Sequence, residues 1–296
     1  MTKQVSIIIP NFNGIELLKK YFPAVIDTWN EPKNQIEEII IIDNGSTDGS
    51  VDYLENTFPQ VKILKNKKNL GFSKAINAGA SVAKGEFLCL LNTDVKPEKD
   101  FLVNILPLFR DNQAFAISLN EKNFAPSSGF FEKGFILHKP IKTTVECSTF
   151  WVSGGSGVFR KKTWDLLGGF DEINFSPYYW EDIDLSYRAM KAGYRLLWSP
   201  DGVVYHEHES TAKKVPAWYR TYIQERNYLL FHWKNLTSTR LLSKHLTALT
   251  KKIISHPGFI RPFLGAVVKL PTLIEKRRKS EKLEKVSDEA IFAQFK

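Results

Sequence analysis

The run Phe175-Ser-Pro-Tyr-Tyr-Trp-Glu-Asp-Ile-Asp-Leu-Ser-Tyr-Arg188 gathers the side chains best suited to chemistry. Tyr178, Tyr179 and Trp180 lead directly into Glu181, Asp182 and Asp184. Leu185, Tyr187, Ala189 and Met190 follow at helical spacing, which predicts a helix that begins at the acids. The macrodipole stabilises negative charge in a first helical turn. An aromatic wall beside a carboxylate lowers the local polarity and raises its pKa toward that of a general base. An ordinary acidic helix start would look the same in isolation. Two further motifs decide for chemistry. Asn92-Thr-Asp94 follows the apolar tip Leu88-Cys-Leu-Leu91. A carboxylate there is an oxygen ligand for a hard cation that bridges diphosphate oxygens, although a helix N-cap before Pro97 would use it too. Val203-Val-Tyr-His-Glu-His208 puts an imidazole just past another strand end, where it can complete a metal site. Spacing alone does not choose between His206 and His208.

The elements that must position these groups alternate. Strands are predicted at Val5–Pro10, Ile39–Asp43, Val61–Leu64, Glu86–Leu91 and Ala114–Leu119. Helices are predicted from Ile15 to Trp29, from about Ser46 to Phe58, from Ser73 to Ala83, and after Pro97, which suits a first helical turn. This alternation argues for parallel βαβ units. Residues 120–150 lose the pattern and read as a variable loop or hairpin. Phe150–Phe159, with Gly154, Gly155 and Gly157, reads as a strand whose backbone approaches something closely. Val203–Tyr205 reads as a last short strand. In open α/β sheets ligands bind beyond the carboxyl ends of the strands, where Pro10-Asn11, Asp43-Asn44 and Asn92-Thr-Asp94 all lie. Asp43 can accept from the ring N–H of a pyrimidine or cap the Asn44-Gly45 turn; both readings stand. Asn69, Gly71 and Asn77 can crowd a ribose or diphosphate, or cap helices.

With 296 residues, 43% of them apolar, the chain can bury a full core. Two cysteines, Cys89 and Cys147, are too few for a disulfide framework. Val5–Pro10 is too short for a secretory signal, and Ile253–Ile274 carries charges and three prolines, so a soluble protein of a reducing compartment is expected. The net charge of +9 is uneven: residues 1–210 hold 23 Lys and Arg against 26 Asp and Glu, residues 211–296 hold 18 against 6. The last third, helical and aromatic in texture, therefore needs an anionic partner.

The order of these motifs resembles the glycosyltransferase family 2 enzymes, and within them the bacterial rhamnosyltransferase-like branch. Asn69-Leu-Gly-Phe72, Asn92-Thr-Asp94, Gly168-Gly-Phe-Asp171 and Glu181-Asp-Ile-Asp-Leu185 carry the resemblance over roughly residues 3–235. It implies a GT-A type, Rossmann-like, mostly parallel α/β sheet with flanking helices over residues 1–212, with a nucleotide-binding half to about 119 and an acceptor-side half beyond it. Residues 213–296 would be a helical basic C-terminal extension. The resemblance implies that Asp182 is the catalytic base with Glu181 its partner. Asp43 would bind the base, with Pro10, Asn11 and Asn13 beside the nucleotide. Asn69, Gly71, Asn77, Asn92, Thr93, Trp151, Gly154 and Gly155 would complete the nucleotide-sugar site. Asp94 and His206 would hold Mg²⁺ or Mn²⁺. Asn92 departs from the family's usual aspartate and is a weaker cation ligand.

The implied reaction is an inverting transfer of a hexose or rhamnose from a dTDP-, UDP- or GDP-sugar to a hydroxyl of a glycan or lipid-linked acceptor, in bacterial cell-surface polysaccharide synthesis. A cytoplasmic enzyme held at the inner membrane face through its basic extension is expected. Trp218, Trp233, Phe259, Phe263 and the cluster Lys276-Arg-Arg-Lys279 are the expected anchors, with no nucleic-acid partner. A nucleotidyltransferase would show an early glycine-rich run with Arg and Lys, which Pro10-Asn-Phe-Asn-Gly14 lacks. A non-enzymatic nucleic-acid binder could stack bases on the extension's aromatics, but their helical spacing fits packing better.

Overall fold

The computed structural model describes residues 3–122, 125–207 and 215–296. Its first third alternates β1 (Val5–Asn11), α1 (Ile15–Trp29), β2 (Ile36–Asp43), α2 (Ser50–Thr57), β3 (Lys62–Lys65), α3 (Phe72–Val82) and β4 (Phe87–Leu91). These strands run parallel in the order β3-β2-β1-β4. The isoleucine and leucine runs of β1, β2 and β4 are buried on both faces, as a covered parallel sheet requires, while edge strand β3 is partly buried. Successive side chains point opposite ways. Ile7, Ile9, Ile39 and Ile41 therefore meet Leu18, Phe22 and Val25 of α1, while Ile8, Ile40 and Ile42 meet Ala75, Ile76 and Ala80 of α3.

Beyond β4 the sheet becomes mixed. The chain adds β5 (Val95–Pro97), β6 (Ala114–Glu121), β7 (Ser127–Glu132), β8 (Phe135–Pro140), β9 (Cys147–Ser148), β10 (Ser156–Arg160), α4 (Lys161–Leu167), α5 (Glu181–Lys191) and β11 (Arg195–His206). Strand β10 lies antiparallel between β4 and β6, β6 is parallel to β11, and β11 pairs antiparallel with both β5 and β9. Hairpin β7–β8 occupies the stretch expected to be variable.

Three expectations are corrected. Pro97 closes strand β5 opposite Val204 and starts no helix. Because β5 is an edge strand, its missing N–H interrupts no ladder. The strand expected over Phe150–Phe159 shortens to β10, and residues 151–155 form a loop instead. The short strand at Val203–Tyr205 is the end of the twelve-residue β11.

The C-terminal third forms α6 (Ala217–Asn235), α7 (Thr239–Ser255), α8 (Ile260–Val267), α9 (Leu270–Glu281) and α10 (Asp288–Ala293). Two motif acids fix it to the sheet half. Lys234 Nζ of α6 donates to Asp171 at 2.8 Å and to Asp184 at 2.9 Å, all three side chains being buried. Arg188 donates to Asp184 at 2.8 Å, and Tyr187 donates to Asp288 at 2.7 Å. Among the described residues no helix is long and apolar enough to cross a membrane.

Candidate active site

The start of α5 is held in an unusual backbone. Tyr179 and Trp180 both have left-handed conformations, with φ of 75° and 77°. Each costs on the order of 1 kcal/mol or more for a residue with a side chain. Asn227 of α6 compensates by donating its side-chain amide to the carbonyls of Phe175, Tyr178 and Tyr179, each at 2.9 Å. Arg226 donates to the carbonyl of Ser176. The segment so clamped delivers Glu181 and Asp182 into the cleft.

Asp182 accepts from the Ile183 N–H at 2.8 Å and, more weakly, from the Gly154 N–H at 3.4 Å. Burial raises its pKa to about 6 against these favourable amides. Glu181 is 6% exposed, and burial followed by the neighbouring Asp182 charge pushes its pKa well above the usual carboxylate range. Asp182 is therefore the better base of the pair near neutral pH.

A cavity of about 350 Å³ opens in front of these acids. Of the residues singled out in the sequence, Pro10, Asn11, Asn69, Gly71, Asn92, Thr93, Asp94, Gly154, Gly155, Glu181 and Asp182 line it. Tyr178 and Tyr179 of the expected aromatic wall line it as well, with Phe12 and Ser153, which were not foreseen. The Gly155 backbone crosses so near Asn92 that a Cβ would stand 2.4 Å from its side-chain nitrogen. The Asn92 N–H donates to the Gly155 carbonyl at 2.9 Å, tying the β4 tip to the 151–155 loop.

Other candidates stand off the wall. Asp43 lies behind Asn11, from which it accepts at 2.9 Å, and its second oxygen accepts from the N–H groups of Gly45 and Ser46. The turn-capping reading of Asp43 is thus realised. Asn13 accepts from the Thr47 N–H. Asn77 makes two bonds with the Phe170 backbone, at 2.9 and 3.0 Å, so it holds the Gly168-Gly-Phe170 turn in place of a ligand wall. Trp151 lines an adjoining cavity of about 450 Å³ with His138, Trp180 and Tyr228. Tyr179, Glu181 and Asp182 border both cavities.

Asp94 and His206 come together: His206 Nε2 stands 3.0 Å from the Asp94 carboxylate. On its other side Nδ1 stands 3.3 Å from Glu121, which also accepts from Ser156 Oγ. Burial lowers the imidazole's pKa, but the two carboxylates outweigh it and lift it to about 9. Two ligands about 2.1 Å from an octahedral cation, at right angles, lie about 3.0 Å apart. At that separation Asp94 and His206 are hydrogen-bonded to each other, so a cation would have to displace the proton between them. Glu121 sits where a carboxylate orients a ligating imidazole. It was missed in the sequence, although as the acid ending β6 it carries the same signal as Asp94. Among the described residues no group of three or more His, Cys, Asp or Glu forms a metal site by itself, so two protein ligands would need substrate oxygens or water to complete the shell. His208 lies outside the described residues.

Comparisons with known proteins bear on the family and the fold. A model described as glycosyl transferase family 2 matches residues 6–164, and one described as glycosyl transferase family group 2 matches residues 94–273. An O-antigen chain rhamnosyltransferase of Salmonella anatum is 24% identical over 225 residues, covering 71% of this chain and 68% of that protein. An uncharacterized protein of Sinorhizobium fredii is 23% identical over 259 residues, covering 79% of this chain but 28% of that protein, so the chain spans under a third of that relative's length. The solved structure of GalNAc-T7 with UDP, GalNAc and Mn²⁺ superposes with a TM-score of 0.63 at 16% identity, over 86% of this chain and 58% of that one. That neighbour places the sheet and its flanking helices in the GT-A fold. With its first family model covering more than half of its length, the chain belongs to glycosyl transferase family 2.

Proposed function

We propose that this chain is an inverting glycosyltransferase that moves a hexose or rhamnose from a nucleoside diphosphate donor to a hydroxyl of a glycan or lipid-linked acceptor, in bacterial cell-surface polysaccharide synthesis. The observation that carries the reading is the meeting of two cavities at Asp182. One is lined by the strand ends with Asp94, the other by Trp151, Trp180 and Tyr228. Donor and acceptor can then reach the same carboxylate, one from each cavity.

Asn11 supports the donor assignment. It lines the cavity but is only 1% exposed, and its buried side-chain carbonyl oxygen has no hydrogen-bond partner. A donor N–H that reached it from the cavity would satisfy it. Asp182 removes the proton of the acceptor hydroxyl as that oxygen attacks the anomeric carbon. A single displacement of this kind inverts the configuration and needs no nucleophilic carboxylate. Asp94 and His206 would hold Mg²⁺ or Mn²⁺, with Glu121 fixing the ring. Such a cation, when bound, supplies the charge that stabilises the departing nucleoside diphosphate. To ligate, His206 must give up its proton, so occupancy of this site releases a proton and weakens as pH falls.

The test is release of nucleoside diphosphate from UDP-, dTDP- and GDP-sugars with Mn²⁺, paired with a thermal-shift panel. One donor class should both raise the melting temperature and turn over. A chain stabilised by none of the donors and inert toward all of them would contradict the proposal.

A further inference from the structure

The structure separates the buried from the exposed among the residues expected to meet an anionic surface. Of the residues expected to serve as anchors, Phe259 is buried and Phe263 packs edge-on against Trp233. In the Lys276–Lys279 cluster, Arg277 bonds Glu281 and the Trp233 carbonyl, and Lys279 pairs with Glu275. Phe259, Phe263 and Arg277 are committed to the fold, whereas Arg278, Lys279 and Trp218 stay exposed.

A different surface is left open on α8. Pro262 and Ala266 are buried, and Gly265 lies so close to Tyr222 of α6 that a Cβ would stand 2.3 Å from its hydroxyl. That face of α8 is therefore packed. The opposite face carries Ile260, Leu264 and Val268, spaced four apart and 43%, 54% and 80% exposed. Ile254, at the end of α7, is 76% exposed. Four large aliphatic side chains facing solvent at one end of a helical layer are more than the scattered apolar residues of an ordinary surface.

The charge around this edge points to its occupant. Between Glu225 and Glu275 the sequence holds no Asp or Glu; of its eight Lys and Arg, Arg226 and Lys234 are buried in the fold, and Arg240, Lys244, Lys251 and Arg261 are exposed. Lys251 and Arg261 are exposed beside the aliphatic residues. Arg261 stacks its guanidinium 4.8 Å from the ring of Trp218, itself 58% exposed. Aliphatic side chains backed by cations and an indole form the pattern that enters the boundary between lipid headgroups and acyl chains. A nucleic acid would be met by the cations but not by the aliphatic side chains, and a neutral protein partner would use the aliphatic side chains without the cations.

We infer that the α7–α8 edge seats the protein on an anionic lipid bilayer, inserting Ile254, Ile260, Leu264 and Val268 while Lys251 and Arg261 engage lipid phosphates. The placement also suits the site. Helix α6 touches α8 through Tyr222, and its next residues, Gln224, Glu225 and Tyr228, line the cavity beside Trp151. A bilayer on this edge would lie near the acceptor side of the cleft, a consequence that rests on the glycosyltransferase reading. The seating itself does not.

Flotation of the full chain with vesicles tests it. The vesicles are phosphatidylcholine alone, or phosphatidylcholine with about 30% phosphatidylglycerol, at low and high salt. The chain should float with the anionic vesicles, and less so at high salt. The pair Leu264→Glu and Val268→Glu should reduce that binding at least tenfold. Leu166→Glu on α4, which is equally exposed but remote in sequence, should leave it unchanged. Both variants replace exposed side chains, and unchanged melting curves would establish that they fold. No flotation, equal recovery with neutral vesicles, or full binding by the double variant would overturn the inference. So would a dimer that the double variant converts to a monomer, because the edge would then be an interface between copies. Nucleoside diphosphate release in detergent-free solution reports on the glycosyltransferase reading separately from any of these outcomes.

Discussion

The side-chain amide of Asn227 donates to the main-chain carbonyl of Tyr179 across 2.9 Å. With the bonds of the same amide to the carbonyls of Phe175 and Tyr178, this contact joins the C-terminal helices to the strained turn that presents Asp182. Without it, two consecutive left-handed residues have less to hold them.

Asn227→Ala should therefore have two effects. Loss of a fully buried amide with three acceptors should cost roughly 2 kcal/mol or more of stability, measured by urea unfolding. Turnover under conditions where the variant is fully folded should fall, because Asp182 is no longer aimed. A stability loss with unchanged kcat would show that the clamp serves folding alone.

Much of this architecture is legible in the sequence, for local reasons. The isoleucine runs of β1 and β2, the Asn-Gly turn after β2 and the acids opening α5 are signals that a few neighbouring residues carry by themselves. Pro97 shows the limit. It fits a first helical turn and an edge strand equally well, and only the pairing with β11 decides. Asn77 and Asp43 show the same limit at the site. Each is an ordinary turn or capping residue until Phe170 or Asn11 is brought beside it, and those partners are 93 and 32 residues distant in sequence. Asp171 and Asp184 belong to motifs that suggest chemistry, yet both are consumed by Lys234, whose importance no local pattern reveals.

The stacked imidazoles of His232 and His245 set a pH limit on the fold. Their centroids are 4.7 Å apart, and His232 Nε2 accepts from the Ile136 N–H at 2.8 Å. Burial, followed by the neighbouring His245, depresses the pKa of His232 well below its ordinary 6.5, and burial lowers that of His245. The unfolded chain then binds more protons than the folded one below about pH 6.5. Their contribution to stability is complete above that pH and is lost as the pH falls. Urea midpoints should decline from pH 7 to pH 5, and His232→Gln should flatten that slope whatever its effect at pH 7. An unchanged slope would assign the acid sensitivity to other groups.

The Asp94–His206 pair makes a prediction about cations. Two protein ligands bind a divalent ion weakly alone and more tightly when diphosphate oxygens join them. Mn²⁺ should raise the melting temperature appreciably only when UDP or another matching nucleoside diphosphate is present. Asp94→Ala should abolish that synergy and lower turnover by roughly 10²-fold or more. Full activity in EDTA would refute the metal assignment.

The most direct test of the account is the pH profile of turnover in wild type and in Asp182→Asn. Burial holds the Asp182 carboxyl at about 6, so the fraction able to accept a proton grows as the pH rises through that value. With Mn²⁺ and donor saturating at every pH, wild-type kcat should climb about tenfold per pH unit below it and level off above. Asp182→Asn keeps the shape of the side chain but cannot take a proton. It should lose roughly 10²-fold or more in kcat, keep donor binding, and lose the acid limb of the profile. Near-wild-type turnover in Asp182→Asn, or an acid limb that survives there and disappears in Glu181→Gln, would contradict the assignment of Asp182 as the base.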